Sequence, residues 1–289
     1  MKKSWTTVIL VIILLLGVGI MLYPTVSDYW NSFHQSRVIT EYAEHVAEMD
    51  ESEYDKVIED AREYNKRLNA GAYSPRLDEA AAEDYNSQLN VAGTGVMGYI
   101  EIPKINCTLA IYHGTSDAVL QIGVGHIEGT SLPVGGIGTH CVVSGHRGLP
   151  SAKLFTNLDK LEEGDIFMMR VLNETLTYEV DQVLIVLPHE TEALNVDPEQ
   201  DYCTLVTCTP YAVNTHRLLV RGHRIENLKE SEEIKVTSDA VQIDPMIVAP
   251  IVAVPILVIL IVVVMTRTSA KRKKRQKNES TKEEHNSEE

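Results

Sequence analysis

Two long apolar runs, one toward each end of the chain, limit how the rest of it can fold. The first, Trp5 to Tyr23, has 19 residues and is interrupted only by small or hydroxyl residues. The second, Met246 to Met265, has 20 residues and no charge. A bilayer core of about 30 Å needs about 20 helical residues. We therefore predict transmembrane helices at residues 5–23 and 246–265.

A cleavable signal peptide is the competing interpretation of the first run. The apolar core of a signal peptide is usually about 7–15 residues long, and a cleavage site of small residues follows it. This run is longer, and the sequence after it, Tyr23-Pro24-Thr25-Val26, lacks that site. We favour an uncleaved anchor and keep the signal peptide as the alternative.

Positive charge lies beside both runs. Lys2 and Lys3 precede the first, and six Lys or Arg residues between Lys271 and Lys277 follow the second. Because Lys and Arg next to a span mark its cytoplasmic side, we expect residues 1–4 and the basic, then acidic tail 266–289 in the cytoplasm. The protein is then a two-pass cell-membrane protein whose residues from about 24 to 245 are extracellular. The basic tail is most simply a stop-transfer flank.

The charge balance and the cysteine spacing exclude two classes of partner. The chain has 26 Lys+Arg against 41 Asp+Glu, and ten of the basic residues belong to the terminal segments, so the outer segment is strongly acidic. Such a surface repels phosphate backbones, which argues against binding of nucleic acid. The four cysteines form no CxxC pair, so we expect no metal site and no cofactor.

Residues 24–95 are predicted to form an extracellular helical region. Helix is expected from Asn31 to Ala70, where apolar residues at three- and four-residue steps form one stripe. The stripe consists of Tyr54, Val57, Ile58, Ala61, Tyr64 and Leu68. Gly and Ser-Pro in residues 69–75 interrupt the helix, and a short helix through Ala80 to Leu89 follows.

From Val96 the pattern changes to short apolar or alternating runs bounded by turn residues, which favours a β-sandwich or barrel. The predicted strands are Gly98–Ile102, Cys107–Tyr112, His140–Ser144, Ile166–Val171, Leu176–Leu187, Tyr202–Cys208 and Arg217–Gly222. Short helical turns are expected at residues 117–121 and near 154–158. Residues 96–228 are long enough for one packed core, and residues 229–245 form a polar tether to the second span.

Three residues near predicted strand ends have the chemistry of a thiol enzyme: His146, Cys208 and Arg217. A thiol with a pKa near 8.5 is mostly protonated at neutral pH, so an enzyme must supply a nearby base or positive charge. A histidine can shuttle the proton, and an arginine can hold negative charge that develops on a carbonyl. From composition alone, a single cysteine on a strand is more often a buried packing residue, and His146 and Arg217 could be an ordinary loop histidine and an exposed strand arginine.

The sequence around these residues resembles that of the sortases, a family of cysteine transpeptidases. The similarity lies in TLVTCTP at 204–210, NTHRLLVRG at 214–222 and GHRG at 145–148, with further similarity at 98–105 and 123–126. It implies a mostly-β fold, a closed sortase-type barrel of about 7–8 strands with short helices, here preceded by the helical region and flanked by the two transmembrane helices. It also implies that Cys208 is the nucleophile, His146 the proton donor and acceptor, and Arg217 the oxyanion-stabilising group.

Arg221 and Arg224 are rivals of Arg217. Alternation along the strand puts Arg217 and Arg221 on one face and Arg224 on the other. The resemblance selects Arg217, because it directly follows the Asn-Thr-His element. We interpret His113, His126 and His216 as structural or surface residues.

The remaining cysteines, Cys107, Cys141 and Cys203, are interpreted as packing residues on their strands. Cys203 and Cys208 lie on one predicted strand, about 16 Å apart and on opposite faces. A disulfide needs Cα atoms within about 7 Å, so these two cannot pair with each other.

Two spans and a long helical N-terminal region resemble the class C, pilin-polymerising sortases. The resemblance implies cleavage of a Leu-Pro-x-Thr-Gly-type sorting motif, a thioester on Cys208, and transfer to a lysine amine of a pilin subunit. The alternatives are a housekeeping sortase that uses a cell-wall precursor amine, a thiol hydrolase that only cuts the motif, and a non-catalytic surface scaffold.

A lid ahead of the barrel is usual in class C members and carries an Asp-Pro-aromatic motif. Residues 71–78 of this chain, GAYSPRLD, contain a proline but not that motif. Tyr73 is a candidate to cover Cys208, and Asp78 to reach Arg217. The same segment is equally typical of a plain linker.

Overall fold

The structure is a computed structural model that describes residues 2–68 and 79–227. The helices are α1 Lys2–Glu48, α2 Glu51–Arg67, α3 Glu79–Ser87 and α4 Asp117–Ile122. The strands are β1 Val96–Ile102, β2 Cys107–His113, β3 Val124–His126, β4 Thr139–Ser144, β5 Ile166–Val171, β6 Glu174–Val186, β7 Asp201–Thr209 and β8 His216–Ile225. All contacts below lie within one compact unit, Val26–Val236.

The eight strands close into a barrel in the order β1-β2-β3-β4-β7-β8-β6-β5, and β5 pairs back onto β1. Two neighbouring pairs, β2–β3 and β4–β7, are parallel, and the others are antiparallel. The predicted closed barrel is confirmed, as are all seven predicted strands, with ends that move by a few residues.

The strand that sequence analysis missed is β3. It has three residues, Val-Gly-His, which is too short to show an alternating pattern. It nevertheless pairs with β2 on one side and β4 on the other, so it is needed to close the barrel.

The N-terminal helices pack on the barrel through the predicted stripe. Ile58, Ala61 and Tyr64 of α2 are buried, and the other three stripe residues pack against the same core. In α1, the buried Tyr42 hydroxyl donates to the Met97 carbonyl at 3.0 Å and accepts from the Leu172 N–H at 2.8 Å. The helical region is therefore part of the folded unit.

One helix was predicted from Asn31 to Ala70, and this is wrong at Met49 and Asp50, where α1 ends and α2 begins. Asp50 has extended backbone, and its carboxylate accepts from the Glu53 N–H at 2.9 Å. An aspartate in this position caps a helix N-terminus, so it starts a new helix instead of continuing the previous one.

Within the described residues, one segment is long and apolar enough to cross a membrane: Ile9–Glu48 of α1, with a mean hydropathy of 2.6 in its most apolar window. It contains most of the first apolar run. The second predicted span, Met246–Met265, the tether and the tail lie outside the described residues, as do the lid candidates Tyr73 and Asp78.

Candidate active site

Parallel pairing of β4 with β7 brings the predicted histidine and cysteine to the same end of the barrel. Ser144 is the register partner of Val206, and the pairing continues through Gly145, whose N–H donates to the Val206 carbonyl at 3.0 Å. The Thr207 hydroxyl donates back to the Gly145 carbonyl at 2.7 Å. Because parallel strands run in the same direction, His146 follows at the level of Cys208.

Antiparallel pairing of β7 with β8 adds the arginine, since Arg217 is the direct register partner of Cys208. The Nη1 of Arg217 donates to the carbonyls of Asn214 at 3.3 Å and His216 at 3.1 Å. These bonds hold the guanidinium beside the loop that joins β7 to β8. All three predicted site residues are half-buried, which leaves them accessible to a substrate.

Strand alternation puts the three residues on the outer face of the barrel. Inward neighbours such as Val143 and Leu205 belong to the main core. Outward residues of β4, β7 and β8, namely Val142, Val206 and Leu219, form a second apolar cluster with Leu194 of the 3-10 turn Glu192–Leu194. All four side chains are buried, so the turn covers this part of the outer face, and the candidate site lies beside the covered cluster.

Two glycines explain the local sequence around His146. A Cβ at Gly145 would lie 2.7 Å from a ring carbon of the buried Phe155, so the chain could not pack as it does with a larger residue. Gly148 has φ +79°, which favours glycine, and a Cβ there would lie 2.8 Å from the ring of Tyr211 in the β7–β8 loop. The loop after β4 and the loop after β7 therefore approach each other closely at Gly148.

Arg147 is a functional candidate that sequence analysis did not single out. Its side chain is 11% exposed. Nη1 donates to the Thr209 hydroxyl at 3.2 Å, and Nη2 donates to the Asp159 carboxylate at 2.7 Å. One guanidinium thus joins the residue after His146 to the residue after Cys208. Its place in the GHRG sequence was the available signal.

The rival arginines have other partners. Arg221 makes two hydrogen bonds to Asp181, at 3.0 and 2.9 Å, and lies over the ring of Tyr202 at 4.2 Å. Arg224, on the opposite face as expected, lies over the ring of Tyr178 and 3.9 Å from the Asp201 carboxylate. The guanidinium groups of Arg221 and Arg224 therefore contact acidic and aromatic side chains other than the candidate site residues.

The other histidines have structural contacts. His126 is fully buried, its Nδ1 is 3.0 Å from the Tyr85 hydroxyl, and its Nε2 is 2.8 Å from the Ser131 carbonyl. Both ring nitrogens of His113 contact backbone carbonyls, and Nδ1 of His216 contacts the Thr215 hydroxyl. Among residues 2–68 and 79–227, no group of three or more His, Cys, Asp or Glu is arranged to hold a metal ion.

Comparison with known proteins agrees with this geometry. The model of the sortase domain matches residues 100–225. The solved structure of sortase C1 from Streptococcus agalactiae is 54% identical, with a TM-score of 0.65, and the match covers 66% of this chain and all of that one. The chain belongs to the sortase family.

Further relatives place this sortase near class C. Sortase C from Streptococcus pneumoniae is 43% identical with a TM-score of 0.59, over 66% of this chain and 97% of that one. Among curated relatives, sortase D of Bacillus subtilis is 31% identical over 131 residues, which are 44% of this chain and 63% of that protein. The match with each of the first curated relatives thus spans less than two thirds of its length.

Proposed function

We propose that this protein is a cysteine transpeptidase that cleaves a sorting motif of the Leu-Pro-x-Thr-Gly type and joins the new carboxyl end to an amine. The observation that carries the proposal is the strand register. It aligns the parallel strands that lead to His146 and Cys208, and pairs Cys208 with Arg217. A nucleophile, a proton carrier and a fixed positive charge on one rim are what acyl transfer through a thioester requires.

The reaction has two halves. The Cys208 thiolate attacks the carbonyl carbon of the motif threonine, and Arg217 stabilises the oxyanion that forms. His146 gives its proton to the leaving glycine amine, and the thioester remains on Cys208. In the second half the acceptor amine attacks the thioester carbonyl, His146 takes a proton from that amine, and Cys208 leaves as the thiolate.

For the acceptor we propose a lysine amine of a pilin subunit. Sortase C of Streptococcus pneumoniae, 43% identical to this chain, is described with a pilin substrate. The class C neighbours support pilus assembly, whereas the sortase A proteins among the curated relatives keep open attachment to a cell-wall precursor amine.

We also propose the two-pass topology of the sequence analysis, with both termini in the cytoplasm and the barrel outside. The apolar segment in α1 supports the first span. Residues 24–95, 96–228 and 229–245 are then the helical region, the catalytic barrel and the tether. A lid role for Tyr73 and Asp78 remains part of this proposal. If Tyr73 covers the site, Cys208 should react faster with a thiol reagent in Tyr73→Ala than in the wild type, and an unchanged rate would contradict the lid.

Transfer can be measured with the full-length chain in detergent, a fluorescent sorting-motif peptide and a lysine-containing pilin domain. We expect a peptide–pilin product with the wild type and with Cys107→Ala, which removes a cysteine of β2, a strand that carries none of the three site residues. Cys208→Ala should form none. Cleavage by water alone in the presence of acceptor would contradict transfer, and full product formation by Cys208→Ala would contradict the proposed chemistry.

A further inference from the structure

Two cysteines outside the candidate site face each other across the parallel pair β4–β7. Cys141 on β4 is the direct register partner of Cys203 on β7. Both side chains point into the main core, and their exposed fractions are 2% and 0%. In a register pair the two side chains lie on the same face of the sheet, so the sulfur atoms are neighbours inside the barrel.

The spacing of this pair suits a covalent bond. Neighbouring strands are about 4.8 Å apart, and disulfides join Cα atoms that are about 4.4–6.8 Å apart. The structure holds both residues as thiols. In addition, Cys203 Sγ lies 3.2 Å from Met169 Sδ.

The other two cysteines do not compete for either member of the pair. Cys107 contacts the Leu154 carbonyl at 3.7 Å, and burial raises the pKa of its thiol to about 12. Cys208 lies on β7 with Cys203, and alternation puts it on the opposite face. Of the four cysteines, Cys141 and Cys203 are therefore the two whose positions allow an intramolecular bond.

We propose that Cys141 and Cys203 form a disulfide in the exported protein, an inference that rests on the extracellular placement given under the proposed function. Oxidising compartments outside the cytoplasm allow such bonds to persist. The oxidant is another disulfide, which reacts with the two thiols by thiol–disulfide exchange. The two thiols lose two protons and two electrons, one S–S bond forms between them, and the oxidant is released as two thiols. Because both sulfurs are buried in the folded chain, the exchange takes place before the barrel closes.

This cross-link would act on the catalytic geometry. Cys141 lies five residues before His146, and Cys203 lies five residues before Cys208. A bond between them fixes the register of the two strands that carry the proton carrier and the nucleophile. It also closes a long loop, which removes conformational freedom from the unfolded chain.

The test is a thiol count on the full-length chain. Cells are quenched with acid, the protein is denatured and alkylated with N-ethylmaleimide, and peptides are read by mass spectrometry. We expect Cys107 and Cys208 to be labelled without reductant and all four cysteines after reduction, with a Cys141–Cys203 linked peptide in the unreduced sample. The midpoint of thermal unfolding should fall by about 6–12 °C in reductant.

Variants make the count specific. Cys141→Ala should release Cys203, so that three cysteines are labelled without reductant, and its unfolding midpoint should no longer respond to reductant. Cys107→Ala is the matched control and should lose one label in both conditions while it keeps the linked peptide.

Labelling of all four cysteines in unreduced wild type would overturn the proposal, as would a linked peptide that contains Cys107 or Cys208. The same preparation is assayed for transfer. If all four cysteines are labelled and transfer is active, the disulfide proposal is contradicted and the proposed function stands. If the linked peptide is present but no transfer occurs, the disulfide proposal stands and the proposed function is contradicted.

Discussion

At the scale of single residues, the candidate site depends on side chains that do no chemistry. Arg147 is the clearest example, because its guanidinium connects Thr209 at the end of β7 with Asp159 in the 3-10 turn Leu158–Lys160. Since His146 precedes Arg147 and Cys208 precedes Thr209, the bond from Arg147 to Thr209 is positioned to set the distance between His146 and Cys208. We regard it as a positioning residue.

Replacing Arg147 by Ala is expected to lower kcat for thioester formation about 10–100-fold, because small misplacements of reacting groups cost rates of this order. The KM for the sorting peptide should change little, since Arg147 is 11% exposed and points at Thr209 and Asp159. The measurement is single-turnover and steady-state kinetics on the peptide. Arg62→Ala, which removes an exposed ion pair with Glu174, is the matched control.

A structural role alone would give a different result for Arg147→Ala. In that case the unfolding midpoint would fall while kcat of the remaining folded enzyme stayed at the wild-type value. Asp159→Asn should give a smaller loss of kcat than Arg147→Ala, because it weakens one of the two contacts and leaves the Thr209 bond.

The sequence could nominate His146, Cys208 and Arg217 by family resemblance because each lies in a long, specific motif, and their roles stay predictions. Arg147 lies in one of the same motifs, yet its role depends on Asp159, twelve residues farther along the chain. A contact of that kind follows from how the loop after β4 folds over Phe155. Local sequence pattern does not encode it.

At the scale of secondary-structure elements, the long strands were predictable because apolar residues alternate along them. The three-residue β3 was not, and neither was the end of α1 at Glu48. The predicted stripe begins at Tyr54, after that break, so the periodicity carried no information on where α1 ends. The break depends on one capping contact of Asp50.

The contact between α1 and the barrel leads to a prediction at this scale. The Tyr42 hydroxyl satisfies two buried backbone groups, Met97 C=O and Leu172 N–H, and burial raises the pKa of this phenol. Tyr42→Phe leaves both groups without this partner and should cost about 1–3 kcal/mol of unfolding free energy.

Denaturant unfolding of Tyr42→Phe measures that cost. Tyr54→Phe is the matched control, since Tyr54 belongs to α2 and is partly exposed. A loss no greater than that of the control would contradict a stabilising role of the two hydrogen bonds of the Tyr42 hydroxyl.

At the scale of the whole molecule, a buried histidine makes stability depend on pH. His140 is 1% exposed, its Nδ1–H donates to the Asn195 carbonyl at 2.9 Å, and its Nε2 accepts from the Thr204 hydroxyl at 2.7 Å. Burial lowers the pKa of His140 from its ordinary 6.5, although the bond to Asn195 opposes this. The folded protein therefore holds the neutral ring.

Below pH 6.5 the unfolded chain binds a proton at His140 that the folded chain does not bind, so the free energy of unfolding should fall as the pH decreases. The loss is at most about 1.4 kcal/mol per pH unit, and it ends where the folded pKa is reached. Denaturant unfolding at a series of pH values from about 7.5 to about 5, a range that brackets the ordinary histidine pKa, tests this.

His140→Gln should reduce the loss of stability on acidification, whatever its stability at neutral pH. His189→Gln is the matched control because His189 is exposed. Equal slopes of unfolding free energy against pH for the wild type and His140→Gln would contradict the assignment.

The closure of the barrel has a consequence for how substrates are told apart. Within the described residues, each of the eight strands has a hydrogen-bonded neighbour on both sides along at least part of its length, so only short stretches of edge remain, such as residues 182–186 of β6. Under the proposed function, a sorting signal is therefore distinguished chiefly by the fit of its side chains against the loops at the rim. Such loops can be exchanged without opening the sheet, so a single scaffold can be redirected to new cargo while its reaction stays the same.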